Sequence, residues 1–576
     1  MGYIARLNKK LNALYGGRVR AEFDDGRLRL TGELSDWNDV VRAGLLAAKR
    51  GAYCLVNDIT FSGGQIPPMR LPPVSDTSLE GLRPDVLVIG GGVVGCAIAR
   101  ELTRYRLDVL LVEKEHDVAT HASSRNDGMV HPGIDLHFGQ VKKKYNDRGN
   151  RMFPRLCAEL GVPFRYTGQY VCFTSGWLKP AAAASLLFWK LMGIPAEYVG
   201  RAKLLKREPR LSAAVTHALF FPTAGVVCPY GLTIALAENA ADNGAGVSLD
   251  TAVTGMEIEG GKIVSVLTNR GRVYPGLVIN AAGVFSEDIA KMAQDRYFSI
   301  HPRKGTNMIL DKKSAVEVRT IVSPLNLADV KTAHSKGGGI MHTVDGNLLV
   351  GPDAVETYER ENFSTGRESI RRTLEKQRGT VPGIGERDII TYFTGIRAAT
   401  YEEDFYISPG KSTKNIIHAA GIQSPGLTAA PAIAVDVARW AADFLGAGIN
   451  EQFNAVREPI VRTAELPPGE RDALIKKDPE YGIIVCRCEE ISRGEVRDAL
   501  RRSVPCDTVD GVKRRVRPGM GRCQGGFCGP LVLRIIAEEL DVPVEDVRKN
   551  SPGGRILLGA NKSGGGSGAR PDGGAV

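Results

Sequence analysis

Apolar and polar positions change period several times along the 576-residue chain. From Arg18, "RVRAEFDDGRLRLTGELS" alternates on either side of an Asp-Gly pair, the period-two pattern of a hairpin. A helical stretch from about Asp36 to Arg50 and a strand within "AYCLVNDITFSG" complete a small, self-contained α+β unit over residues 1–62. "SGGQIPPMRLPPVSDTSLEG" is rich in Pro, Gly and Ser, and predicts a linker over 63–83. "PDVLVIGGGVVGCAIARELTRYRLDVLLVEKE" then reads as buried strand, helix and second buried strand. Short alternating stretches such as "FRYTGQYVCF" and "HPRKGTNMILD" predict an antiparallel sheet farther along. A second linker is expected over 451–480, a cysteine-bearing segment over 481–555 and a disordered Gly-rich tail over 556–576.

No run of about 18 uncharged apolar residues occurs, and the start, "MGYIARLNKKLNALYGG", lacks a signal-peptide core. The expectation is a cytoplasmic chain. A hydrophobic content of 43% and a charged content of 24% are ordinary for globular domains. The net charge of +10 is dispersed apart from "GVKRRVRPG". No nucleic-acid motif accompanies it, so a nucleic-acid partner is not expected; an anionic protein or membrane surface remains open.

The clearest chemistry lies in Gly90, Gly92 and Gly95, spaced G-x-G-x-x-G between a strand and a helix, with Glu113 closing the second strand. The glycines allow a tight turn, close approach of backbone to a pyrophosphate and close helix packing. The helix N-terminus offers free N–H groups, and the acid can accept hydrogen bonds from ribose hydroxyls. This pattern predicts a dinucleotide but does not separate FAD from NAD. Cys486, Cys488, Cys523 and Cys528 form C-x-C, a 34-residue gap and C-x4-C. Spacing alone allows zinc or a 2Fe-2S cluster, and a reducing cytosol disfavours disulfides. Cys96, Cys157, Cys172 and Cys228 read as packing residues.

Four further motifs follow in order: "ASSRNDGMVHPGIDL", "LVINAAGVFSEDIA", "YFTGIRAAT" and "IIHAAGIQSPGLTAAPAIA". With the glycine motif they resemble the D-amino-acid-oxidase-like superfamily of flavoproteins over nearly all of residues 84–445. The resemblance implies FAD, with Ser123, Ser124, Arg125 and Asn126 along its ribityl and pyrophosphate side. It adds Ala282, Gly283 and Gly395, then Gly421, Gln423, Ser424, Gly426, Leu427 and Thr428 at a helix N-terminus near the flavin. Ser424 is expected to cap that helix and Pro425 to open its first turn. The cysteine segment resembles the bacterioferritin-associated-ferredoxin-like 2Fe-2S domain, which makes the four cysteines cluster ligands. The first sixty residues resemble the small BON module.

The expected fold is therefore α/β: a Rossmann-like FAD-binding domain (about 84–159, 226–295 and 394–450), whose substrate domain is an α+β antiparallel sheet (about 160–225 and 296–393), plus a small helical 2Fe-2S domain and the N-terminal module. Across residues 84–555 the chain resembles the catalytic subunit of anaerobic glycerol-3-phosphate dehydrogenases and related FAD dehydrogenases. That implies hydride removal from a small anionic alcohol, foremost sn-glycerol 3-phosphate. His131 would take the proton, Arg397 would hold the anion, and Lys304 and Arg303 would add positive charge. "MHTVDGNLLVGPD" resembles a substrate-domain turn of those relatives. Electrons would leave singly through the cluster to an electron-accepting reductase or quinone-linked subunit, in a hetero- or homo-oligomer attached peripherally to the inner membrane through a partner. The rival readings are a 2-hydroxy acid such as 2-hydroxyglutarate, an amino acid or secondary amine, or a non-catalytic electron-transfer subunit.

Overall fold

The computed structural model describes residues 2–24, 26–48, 54–325 and 338–559. They fall into two compact units, residues 1–461 with 502–505 and 521–524, and residues 462–501, 506–520 and 525–576.

The larger unit is organised around a six-stranded sheet in the order Gly246–Ser248, Val109–Val112, Val86–Ile89, Leu277–Asn280, Ile416–Ala420 and Tyr406–Pro409. All neighbours are parallel except the last pair. "VLVI" and "VLLV" are continuous apolar runs, and "LVIN" and "IIHAA" are apolar but for the buried Asn280 and His418, because both faces of the sheet are covered. Val86, Val88, Val109, Leu111 and Ile279 face a helical layer that includes Val93–Leu102, Pro229–Asp242 and Gly426–Leu445. Leu87, Ile89, Leu110, Val112 and Val278 face a small antiparallel sheet through Val253, Ile263, Val266 and Val273. The parallel strands thus end together beside the glycine loop.

A second, nine-stranded sheet carries the alternating segments. Its two longest strands, Ile300–Leu310 and Ile389–Thr400, pair antiparallel, with Arg303 opposite Arg397 and Gly305 opposite Gly395. The expected antiparallel substrate domain is this sheet, although its last strand continues past residue 393 to Thr400.

Near the N-terminus, strands Val19–Asp24, Arg27–Leu34 and Cys54–Phe61 form a three-stranded sheet accompanied by the helix Trp37–Ala47, capped by Asp36. A further helix, Gly2–Tyr15, was not anticipated; it buries Leu7, Leu11 and Tyr15. The end of the expected 36–50 helix falls partly outside the described residues. The unit is not self-contained, because its core is completed by Tyr401. The Tyr401 ring lies against Gly44 where a Cβ would stand 2.3 Å away, and its hydroxyl accepts from Asn57 Nδ2 at 2.9 Å. Leu55 N–H donates to Glu402 Oε1 at 2.7 Å.

In the smaller unit, helices Arg493–Leu500, Val509–Val516 and Gly529–Leu540 enclose Val496, Val512, Val532 and Ile536. Ser492 and Glu495 form a reciprocal capping box at the first of these. The expected linker over 451–480 contains the helix Pro468–Lys477. Of the expected disordered tail, residues 560–576 lie outside the described residues.

Candidate active site

A cavity runs along the C-terminal ends of the parallel strands. Gly90, Gly92, Glu113, Ser123, Ala282 and Gly283 line it, in keeping with the glycine and flavoprotein motifs. Gly90 has φ +111°, and a Cβ there would meet the Ala281 carbonyl oxygen at 2.5 Å, so no larger residue fits that turn. Gly95 lies outside the lining. A Cβ on it would stand 1.9 Å from the Gly90 carbonyl oxygen, so its role is to let the helix close on the loop. Glu113 accepts from Gly91 N at 2.6 Å and Glu115 N at 3.0 Å, which fixes its carboxylate at the strand end while lone pairs remain for ribose hydroxyls. Burial pushes its carboxyl up, against the neighbouring His121 and these N–H donors.

Ser124, Arg125 and Asn126 do not line the cavity; they hold its loop in shape. Ser124 Oγ donates to the His121 carbonyl, Arg125 Nε to the Thr120 carbonyl and Asn126 Nδ2 to the Ala122 and Ser123 carbonyls. Gly395 lets this loop cross the long strand, since a Cβ would meet the Arg125 carbonyl oxygen at 2.3 Å. Gly421, Gln423, Ser424, Gly426, Leu427 and Thr428 are also outside the lining, which takes only Ile422 from that segment. Pro425 occupies the N-cap position of the helix Gly426–Leu445 and no side chain caps it, contrary to the expectation for Ser424. Gln423 and Thr428 instead hold other site residues, as described below.

Sequence reasoning did not single out other residues that close the cavity: Lys114 and Phe285 within the motifs, and Met69, Thr251, Arg360 and Phe363 outside them. The linker expected to be a mere spacer is tied down here. Arg360 Nη2 donates to the Pro67 carbonyl at 3.3 Å, Arg70 N donates to Glu361 Oε2 at 2.8 Å, and Arg70 pairs with Glu115 at 2.8 Å. Met69, an apolar residue inside a Pro-rich stretch, was the available signal. Glu115, His121 and Glu361 converge as a cation site would, but Lys114 already bridges Glu115 and Glu361 at 2.6 and 2.5 Å.

On the adjoining sheet, Arg303 and Arg397 face the same way across the strand pair, and Lys304 projects from the opposite face. Arg303 is 2% exposed. Its Nε donates to Glu356 Oε1 at 2.6 Å and its Nη2 to Glu403 Oε1 at 2.7 Å. Glu356 also pairs with His301 Nδ1 at 2.8 Å, and Gln423 Nε2 donates to Glu403 Oε2 at 2.6 Å. The charge of Arg303 is thereby consumed, which corrects the expectation that it adds free positive charge. Among the described residues Lys304 Nζ reaches only Ser364 Oγ, at 3.4 Å, and burial pulls its ammonium below the usual value.

Arg397 differs. Among the described residues its single hydrogen bond is from Nη2 to the Asp353 carbonyl at 3.1 Å, and it makes no ion pair. The guanidinium passes over Gly305, where a Cβ would meet it at 2.3 Å. Burial first, then Arg303, disfavour its charged form, with Asp127, Asp353 and Glu356 opposing. The guanidinium is half-buried, and its charge is favoured by these three carboxylates without an ion pair to any of them among the described residues.

His131 is 5% exposed. Its N–H donates to Thr428 Oγ1 at 2.8 Å, its carbonyl accepts from Asn150 Nδ2 at 3.0 Å, and its Nδ1 accepts from Gly133 N at 3.0 Å. The resting neutral ring therefore carries its proton on Nε2.

In the smaller unit, Cys486 and Cys528 are buried and Cys488 is exposed. The Cys528 thiol donates to Cys486; with the N–H groups of Gly519, Glu489 and Cys488 it outweighs burial and pulls the Cys486 thiol down to about 5. Backbone N–H groups converging on a thiolate are what an iron-sulfur ligand needs. Cys523 is half-buried. No disulfide joins any of the ten cysteines. Cys96, Cys157 and Cys172 are buried in apolar cores, as expected of packing residues. Cys228 accepts from Gly231 N at a helix start.

A dinucleotide loop on a parallel sheet, joined to a large antiparallel sheet, is the layout of a flavin-dependent oxidoreductase. The chain belongs to the FAD dependent oxidoreductase family, which matches residues 85–440; residues 484–538 match the BFD-like [2Fe-2S] binding domain. FAD and a 2Fe-2S cluster are its cofactors. It is 39% identical to the glycerol 3-phosphate dehydrogenase of Caloramator mitchellensis, over 83% of this chain and 99% of that protein. It is 26% identical to the anaerobic glycerol-3-phosphate dehydrogenase subunit A1 of Haloferax volcanii, over 80% of this chain and 83% of that one. The solved structure of dithionite-reduced L-α-glycerophosphate oxidase from Mycoplasma pneumoniae with FAD bound superposes with a TM-score of 0.60 at 26% identity, covering 66% of this chain and 100% of that chain. No helix of the described residues is long and apolar enough to cross a membrane.

Proposed function

We propose that the chain oxidises sn-glycerol 3-phosphate to dihydroxyacetone phosphate and passes the electrons to a separate electron-accepting subunit. The observation that supports an anionic alcohol is the half-buried Arg397, whose guanidinium hydrogen-bonds only a backbone carbonyl among the described residues. A phosphate supplies the missing negative charge and two acceptors for a forked contact. Arg303, neutralised by Glu356 and Glu403, keeps the strand beneath it rigid. His131 handles the hydroxyl proton, turning its ring out of the Gly133 contact to present an unprotonated nitrogen. When bound, FAD takes the two electrons and the hydrogen of the carbinol C–H as a hydride, and the cluster carries electrons onward one at a time. Gly90, Gly92, Glu113, Ser123, Ala282 and Gly283 hold the FAD, and Cys486, Cys488, Cys523 and Cys528 hold the cluster.

The test is anaerobic mixing of the holoenzyme with sn-glycerol 3-phosphate, glycerol, 2-hydroxyglutarate and proline in parallel. Bleaching of the flavin band by the phosphate ester alone is the expected result. Bleaching by 2-hydroxyglutarate or proline instead would reassign the substrate, and no bleaching by any donor would favour an electron-transfer subunit. Arg397→Ala should lower kcat/KM with the phosphate ester by roughly 100-fold or more, the cost of losing charge-assisted hydrogen bonds to an anion.

A further inference from the structure

The segment between strands Gln169–Phe173 and Glu197–Gly200 carries a single 3-10 turn, Gly176–Leu178, and the helix Lys179–Leu191, "KPAAAASLLFWKL". Nothing in the oxidation chemistry uses it. One side packs down: Ala182 is buried, and Leu178, Leu186 and Trp189 rest on Phe173, Leu219 and Phe221. The other side has no cover among the described residues. Trp177 is 73% exposed, Leu187 65%, Phe188 49% and Leu191 72%. Trp177, Ala184 and Leu191 recur at seven-residue spacing with Leu187 and Phe188 beside them, so they form one apolar stripe. A helix apolar on nearly all sides requires apolar surroundings on the outer side as well as the inner one.

Charge selects the occupant. No acidic residue occurs between Glu159 and Glu197, and Lys179 and Lys190 stand at the two ends of the helix, both exposed. A second copy of this chain docked face to face would set lysine against lysine with no acid of this segment to pair them. A layer of anionic headgroups over hydrocarbon suits both features. The lysines reach phosphate level, Trp177 and Phe188 sit at the boundary, and Leu187 and Leu191 enter the acyl region. Thirteen residues of helix measure about 20 Å, too short to span a bilayer but suited to lying in its interface.

We propose that the 176–191 segment is a membrane-interface anchor that binds anionic phospholipid directly, without a partner subunit. The probe is flotation of the full-length holoenzyme with vesicles of phosphatidylcholine containing 30 mol% phosphatidylglycerol, and with phosphatidylcholine alone. The expected result is flotation with the anionic vesicles that weakens in 0.5 M salt. The triple variant Trp177→Ser, Leu187→Ser, Leu191→Ser should bind at least 10-fold more weakly, and Lys179→Glu with Lys190→Glu should abolish the preference for anionic lipid. Both variants alter solvent-facing side chains, so flavin reduction by the donor should be unchanged, which shows that the fold is intact. Absence of flotation by the parent protein, or flotation undiminished in the triple variant, would overturn the proposal. So would a self-associated parent that becomes monomeric in the triple variant by sedimentation equilibrium, because a second copy would then cover the stripe.

Discussion

Replacing Arg303 by Ala should destabilise the larger unit in a way that acid relieves. The guanidinium is shared by Glu356 at 2.6 Å and Glu403 at 2.7 Å, and all three groups are largely withdrawn from water. Removing one partner of a buried pair costs about 3–5 kcal/mol, a large part of the roughly 5–15 kcal/mol that holds a folded domain together. In the parent protein burial pushes both glutamates up, but His301 and Arg303 at Glu356, and Arg303 with Gln423 at Glu403, hold each below the ordinary carboxylate value. Their contribution is therefore present above that value, about 4.3, and is lost as pH falls below it. In the variant burial acts with less opposition and the folded carboxyls titrate above their unfolded value. The penalty is then greatest at high pH and shrinks as pH falls through the raised value. Denaturant unfolding of the FAD-loaded protein, followed by flavin fluorescence at pH 7.5, 6.5 and 5.5, measures this. A loss at pH 7.5 below about 1 kcal/mol, the size of an exposed ion pair, would refute the reasoning. So would a loss that grows on acidification.

Gly95→Ala sets a Cβ 1.9 Å from the Gly90 carbonyl oxygen, well inside ordinary contact, so the loop must shift; FAD affinity by fluorescence titration should fall roughly 100-fold while the smaller unit keeps its iron. Tyr401→Ala removes a ring from the N-terminal core and its stack on His301 at 4.6 Å, which should cost about 3–5 kcal/mol and speed hydrogen exchange in residues 19–34 and 54–61. Cys486→Ser should abolish the 2Fe-2S absorption and stoichiometric iron while leaving bound FAD unchanged, because serine does not replace a thiolate that backbone N–H groups surround.

Features legible in the sequence are those enforced over short distances along the chain. Gly90, Gly92 and Gly95 are demanded by the geometry of one turn, four-residue apolar runs by burial on both faces of a strand, and the cysteine pairs by a cluster that reads thiol spacing. Hence the dinucleotide loop, the central strands and the 2Fe-2S segment can be placed from residue order alone. The N-terminal helix did leave a signal, since its three core residues, Leu7, Leu11 and Tyr15, recur every four residues on one face. The 468–477 helix was missed because it has no buried side chain to leave a period.

By itself the sequence determined the chemistry on offer: a dinucleotide, four thiols and an arginine in a flavoprotein motif. Only tertiary structure decided which charges remain available. Arg303 and Arg397 lie opposite each other on paired strands, yet Glu356 and Glu403 neutralise the first while the second meets a backbone carbonyl. Likewise Met69 reaches the cofactor cavity and Tyr401 completes a core more than 300 residues away in sequence. Charge compensation and burial depend on distance in space, and no local period or spacing records which distant residue will close that distance.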